Sequence, residues 1–166
     1  LHEYIDFPEL ILPDFSGCTP EDAATRLRDF WKLGKRPIDN LIHEIEQRGI
    51  LVTSFATSSD DVDAFSQMVD ISGKTVFLIA FSNNKNSAAR IHFDIAHELG
   101  HICLHEWSED VEALDRNEFK ERENEANRFA AAFLLPEESF KADATRNPLR
   151  IPYYTELKRK WKVSIQ

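Results

Sequence analysis

Five consecutive residues, His97-Glu98-Leu99-Gly100-His101, combine types and a spacing that suit metal chemistry. On a helix, positions i and i+4 lie about 40° apart around the axis and ~6 Å apart along it. Two imidazoles placed that way can reach one ion. Neutral imidazole suits zinc, and the same donors also accept manganese or another divalent ion. Glu98 sits ~100° round the helix from His97, beside the ion rather than on it. From there it can accept a proton from a metal-bound water. Three ionisable groups on a largely buried helix are costly unless they have such a role. Gly100 costs ~1 kcal/mol against Ala inside a helix. The gap it leaves would let another segment approach closely.

A catalytic zinc takes a third protein ligand and keeps one position open. His105 is two turns beyond His97, ~12 Å along a continuing helix, too far to share its ion. It reads as an end-of-helix residue or a support behind a ligand. Cys103 points ~200° away from His101 and reads as core. The remaining source is the acidic run Glu121-Arg122-Glu123-Asn124-Glu125 that opens a second helical stretch. Glu125 shares a face with Phe129, Ala132 and Phe133 and is the expected third ligand. Glu123 shares its face with Asn127, Ala130 and Ala131, a side less clearly apolar. Ala126 and the alanines at 130–132 would let this helix pack closely on the motif helix. Arg90 lies seven residues before His97 on about the same face, placed for a substrate contact or a structural ion pair.

The elements that must hold these residues can be read from periodicity and punctuation. Residues 1–18, with Pro8, Pro13 and Gly17 among apolar side chains, read as a strap packed on the rest. Thr19-Pro20 starts a helix that Gly34 ends, and Pro37 opens another that stops at Gly49. This pair invites a helix-turn-helix reading, but Asp29, Asp39, Glu44 and Glu46 argue against it. Residues 50–56 and 74–82 are rich in β-formers, with 63–69 a weaker candidate, so the sheet has about three strands. The segment 74–82 is nearly all apolar and is expected to be buried on both faces. From Ser87 the period is helical to about His105, then again over 117–135, from Glu137, and over 155–161. The expected fold is α+β, a single unit of 1–166 with its chemistry in the second half, 87–166.

The chain has 166 residues, 42% of them hydrophobic and 30% charged, within the range of one globular domain. It carries 29 acidic against 20 basic residues, a net charge of −9. Phosphate contacts need a basic face, so direct nucleic-acid binding by this chain is not expected. No apolar run approaches the ~18 residues of a membrane span, and the acidic start lacks a secretory pattern. Two cysteines, Cys18 and Cys103, make no disulfide framework and fit a reducing cytoplasm. A start at Leu1 is expected for a piece of a longer protein.

The segments Ala96–His101, Leu104-His105 and Glu125-Ala126-Asn127-Arg128-Phe129-Ala130-Ala131, leading to Leu134-Leu135-Pro136, resemble the ImmA/IrrE family of zinc metallopeptidases. Arg90-x-x-Phe93, residues 34–40, Asp63-Ala64-Phe65 and the stretch 157–164 fit the same pattern. The order His-Glu-His then Glu is that of gluzincins, implying a zincin-like fold with the motif on a central helix. The resemblance implies zinc on His97, His101 and Glu125, with Glu98 as general base. It implies an endopeptidase whose substrate is a protein, a helix-turn-helix repressor cleaved in a stress or mobile-element response. It also implies an N-terminal XRE-type segment in the full protein. Gluzincins add a Tyr or His at the oxyanion, and Tyr153, Tyr154, His92 and His105 are open candidates. The competing reading is a zinc-containing sensing or interaction module that cleaves little or nothing. The intact Glu98 weighs against it, because a structural zinc needs no base.

Overall fold

The computed structural model describes residues 7–56, 62–71, 73–84, 87–107, 114–146 and 150–163. In chain order these form α1 (Pro20–Phe30), α2 (Leu41–Glu46), β1 (Ile50–Phe55), β2 (Ala64–Ile71) and β3 (Lys74–Ser82). They continue with α3 (Ala88–Leu104), α4 (Arg116–Leu134), α5 (Glu137–Ala144) and α6 (Ile151–Trp161). The fold is α+β, as expected. Among the described residues no helix is long and apolar enough to cross a membrane.

The three strands form one mixed sheet in the order β1-β3-β2. β1 runs parallel to β3, and β2 pairs antiparallel with β3 from Ala64↔Phe81 to Ile71↔Lys74. Gly73 takes φ +81° where the hairpin closes, and its N–H donates to Asp70 Oδ1 at 3.0 Å. Cross-strand partners share a sheet face, so the register puts Ser66 on the same face as its partner Ile79. α3 packs on β2 and β3, and Ile79 and Ile95 are fully buried. β3 is buried only towards its C-terminal end, at Ile79, Ala80 and Ser82, and its first residues are exposed. Its neighbour β2 is an edge strand with Phe65, Met68 and Ile71 exposed.

α1 is a core helix. Thr19 caps it by accepting from the Asp22 N–H, and Ala23, Ala24 and Leu27 are fully buried. It packs on α4 and α3. α2 begins at Leu41 rather than at Pro37, because Asn40 supplies the cap by accepting from the His43 N–H at 3.1 Å. Conversely α6 begins at Ile151, four residues ahead of the expected start, since Pro152 sits in the first turn where its missing N–H is harmless. Asp115 caps α4 by accepting from the N–H groups of Asn117 and Glu118 at 2.7 and 2.9 Å.

The described part of the expected strap, from Phe7 onward, packs Leu10, Leu12, Phe15 and Cys18 on the core. It crosses at Gly49 (φ +89°), where an added Cβ would lie 2.4 Å from Pro8 O. Residues 1–6 of that strap lie outside the described residues. Arg28 is 3% exposed, and its guanidinium donates to the carbonyls of Gly34, Arg36 and Phe133. It thereby ties the loop after α1 to the end of α4.

Candidate metal centre and groove

The motif helix α3 meets α4 where Gly100 presents no side chain. A Cβ on Gly100 would lie 3.2 Å from Ala126 Cα and 3.1 Å from a ring carbon of Phe129. Gly100 and the fully buried Ala126 therefore set the closest approach of the two helices. Around this contact the polar groups gather. His97 Nε2 lies 3.0 Å from His101 Nε2. The Glu123 carboxylate reaches both, at 3.3 Å to His97 and 3.2 Å to His101. One ligand atom from each of the three residues lies within 4.8 Å of the others.

This placement corrects the expectation that Glu125 completes the set. Glu125 is turned to His105, whose Nε2 it meets at 3.1 Å. The reason lies in the centre of the helix contact. Ala126 faces Gly100, so Glu123 stands ~60° to one side of the contact and Glu125 ~100° to the other. The helix contact is centred on the small Ala126 rather than on the large Phe129 and Phe133. The signal available in the sequence was the pairing of Gly100 with a small residue three positions after a glutamate.

Electrostatics bind the cluster tightly. Close pairing with the His101 and His97 imidazoles holds the Glu123 carboxyl far below the usual carboxylate range, against the opposing effect of burial. For His97 burial pulls the imidazole down, but the hydrogen bond and charge of Glu123, with Glu98 and Asn127, outweigh it and raise the net value. His105 is lowered, chiefly by burial, despite Glu125. On the far side of the two rings, His97 Nδ1 meets Asn127 Oδ1 at 3.1 Å and His101 Nδ1 meets His105 Nδ1 at 2.9 Å. Both Nε2 atoms are thus turned to Glu123.

The donors fit a divalent cation. Bonds of ~2.0–2.1 Å in tetrahedral geometry separate neighbouring ligand atoms by ~3.3 Å. The observed separations of 3.0, 3.2 and 3.3 Å are close to that edge length. Two imidazoles and one carboxylate also match the donor chemistry of a three-ligand site.

Glu98 is 8% exposed, and Ser66 Oγ donates to its Oε2 at 2.5 Å. Ser66, on β2, had no signal in the sequence, because only the β2–β3 register turns it towards α3. A groove of about 1000 Å³ runs past Glu98, His97 and Glu123. One wall is Val62, Asp63 and Ala64 at the start of β2, with Ser87, Arg90 and Phe93 of the α3 end. The other is Phe119, Asn127, Leu134 and Leu135 of α4, with Val163. Arg90 lines it and donates to Asp63 Oδ2 at 3.1 Å.

The other candidate residues lie elsewhere. Tyr153 donates its hydroxyl to Asp143 O, within the α5–α6 pair. Tyr154, also on α6, and His92 do not line the groove. The His92 imidazole is lowered by burial and by nearby Lys162. His105 stands behind His101 rather than across from Glu98. Burial pushes the Cys103 thiol far up.

No curated protein matches the chain in sequence. A family model does. The one described as the IrrE N-terminal-like domain, a peptidase family, matches residues 45–166, from within α2 through the motif helix to the end of the sequence. That match spans well over half of the chain, which therefore belongs to the IrrE N-terminal-like domain family, a family of the metallopeptidase type.

Proposed function

We propose that this chain is a zinc-dependent endopeptidase, with His97, His101 and Glu123 as the ligands and Glu98 as general acid and base. The observation that carries this reading is the convergence of two imidazole Nε2 atoms and one carboxylate beside a second, separately held carboxylate. Such an ion, when bound, supplies Lewis acidity that activates water and polarises a carbonyl. Glu98 takes the proton of the attacking water on its carboxylate and delivers it to the departing amine nitrogen. The Ser66 hydroxyl fixes one Glu98 oxygen, leaving the other for that proton. The groove between β2 and α4 is open at the surface and suits an extended segment of a protein substrate. Family resemblance supports a helix-turn-helix repressor as that substrate, in a cytoplasmic stress or mobile-element response, with an XRE-type segment elsewhere in the full protein.

Glu98→Gln tests the catalytic half of the reading. We expect peptide-bond cleavage to fall by a factor of about 10²–10⁴, the usual contribution of a general base, with metal content unchanged. A Glu98→Gln variant that still cleaves at the parental rate would remove Glu98 from the chemistry. Loss of cleavage with retention of the cellular response would favour the sensing-module reading.

A further inference from the structure

We infer that His105 and Glu125 are positioning residues of the metal centre, ordering the protons of a hydrogen-bonded chain so that His101 offers a lone pair at Nε2. This rests on the reading of His97, His101 and Glu123 as the ligand set. A neutral imidazole carries one N–H, so ligation through Nε2 requires the proton on Nδ1. His101 Nδ1 faces His105 Nδ1 at 2.9 Å, and only one of these two nitrogens can donate. Glu125 decides which. Its carboxylate lies 3.1 Å from His105 Nε2 and can only accept, so that nitrogen holds the His105 proton. His105 Nδ1 is then a lone pair and accepts from His101 Nδ1–H. The reverse order would set a lone pair of His105 against the carboxylate and put the His101 proton where the ion binds.

His97 has the one-step equivalent, with Asn127 Oδ1 facing its Nδ1 at 3.1 Å. The His105 side chain is 9% exposed, so solvent is poorly placed to replace it. Groups behind a ligating imidazole characteristically fix its tautomer and strengthen it as a donor. The chain Glu125–His105–His101 fits that role and accounts for an acidic residue turned away from the ion.

The test is competitive titration of the 166-residue chain with Zn²⁺ against a chromophoric chelator. The variants are His105→Phe, His105→Gln and Glu125→Gln, with thermal melts of each apo protein to verify folding. His105→Phe keeps the ring shape but no acceptor, and should weaken Zn²⁺ binding about 10–100-fold at unchanged stoichiometry. His105→Gln carries both an acceptor and a donor and should recover most of that loss. Glu125→Gln should fall between them. Imidazole NMR of the Zn²⁺-loaded parent should find the His105 proton on Nε2. Parental affinity in His105→Phe, equal losses in the Phe and Gln variants, or a His105 proton on Nδ1 would each overturn the positioning role while leaving the ligand set intact. Failure of the parent chain to bind Zn²⁺ would overturn the ligand set, and this role with it.

Discussion

Glu123 and Glu125 are two residues apart on one helix and face different histidines. His97, His101 and Glu98 were legible as a spacing, because i and i+4 share one helix face whatever surrounds it. The place of Glu123 beside the two imidazoles was not, because it depends on how α4 is rotated against α3. Ser66 was less legible still, since a serine on an edge strand gains meaning only from register. Its hydrogen bond to Glu98 predicts a specific phenotype. A bond to a charged group is worth about 1.5–3 kcal/mol, and each ~1.4 kcal/mol is tenfold in rate. Ser66→Ala should therefore lower kcat about tenfold or more with bound metal unchanged. Steady-state kinetics beside metal analysis will check this, and an unchanged kcat would show that Ser66 does not position the base.

The α3–α4 contact positions the centre, and it inverts a familiar substitution. Gly→Ala inside a helix ordinarily gains about 0.5–1 kcal/mol. At Gly100 the new Cβ would meet Ala126 backbone at 3.2 Å, so the helix contact must give by a few tenths of an ångström. Overpacking of this kind costs about 1–3 kcal/mol. We expect Gly100→Ala to lower the melting temperature and weaken metal binding together, since Glu123 moves with α4. Stabilisation by Gly100→Ala would contradict the contact.

The α5–α6 pair is held by Asp143, 8% exposed, which accepts from Lys160 Nζ at 2.6 Å and Trp161 Nε1 at 3.0 Å. The Lys160 hydrogen bond, helped by Trp161 and nearby charges, holds the Asp143 carboxyl below its ordinary value despite burial. A lowered folded-state pKa stabilises above the unfolded value and is lost as pH falls through the folded one. Denaturant melts from neutral to acidic pH should thus show a component of acid destabilisation that Asp143→Asn removes. Helix boundaries erred for local reasons. The α2 cap at Asn40 and the proline inside the first turn of α6 shift the ends that breakers alone would set.

Taken whole, the molecule joins a helical core to a small sheet, and the groove lies where the sheet edge, α3 and α4 meet. The α+β class, three strands and the core helices followed from periodicity, because burial of one face per element is what periodicity records. The groove was not legible, since its walls come from residues as far apart in sequence as Val62 and Val163. A bound ion contacts residues of both α3 and α4 only in the folded chain. Metal should therefore stabilise the fold by about 2.7 kcal/mol at a hundredfold excess over Kd. A chelator should return the melting temperature to that of His97→Ala, and identical melts with and without metal would argue against a site spanning the two helices.

The most direct test of the ligand set is metal stoichiometry at saturating Zn²⁺, read by mass spectrometry, in the parent chain, Glu123→Ala and Glu125→Ala. We expect about one ion per chain in the parent and in Glu125→Ala, and none retained in Glu123→Ala. Loss in Glu125→Ala with retention in Glu123→Ala, or no ion in the parent, would contradict this ligand set.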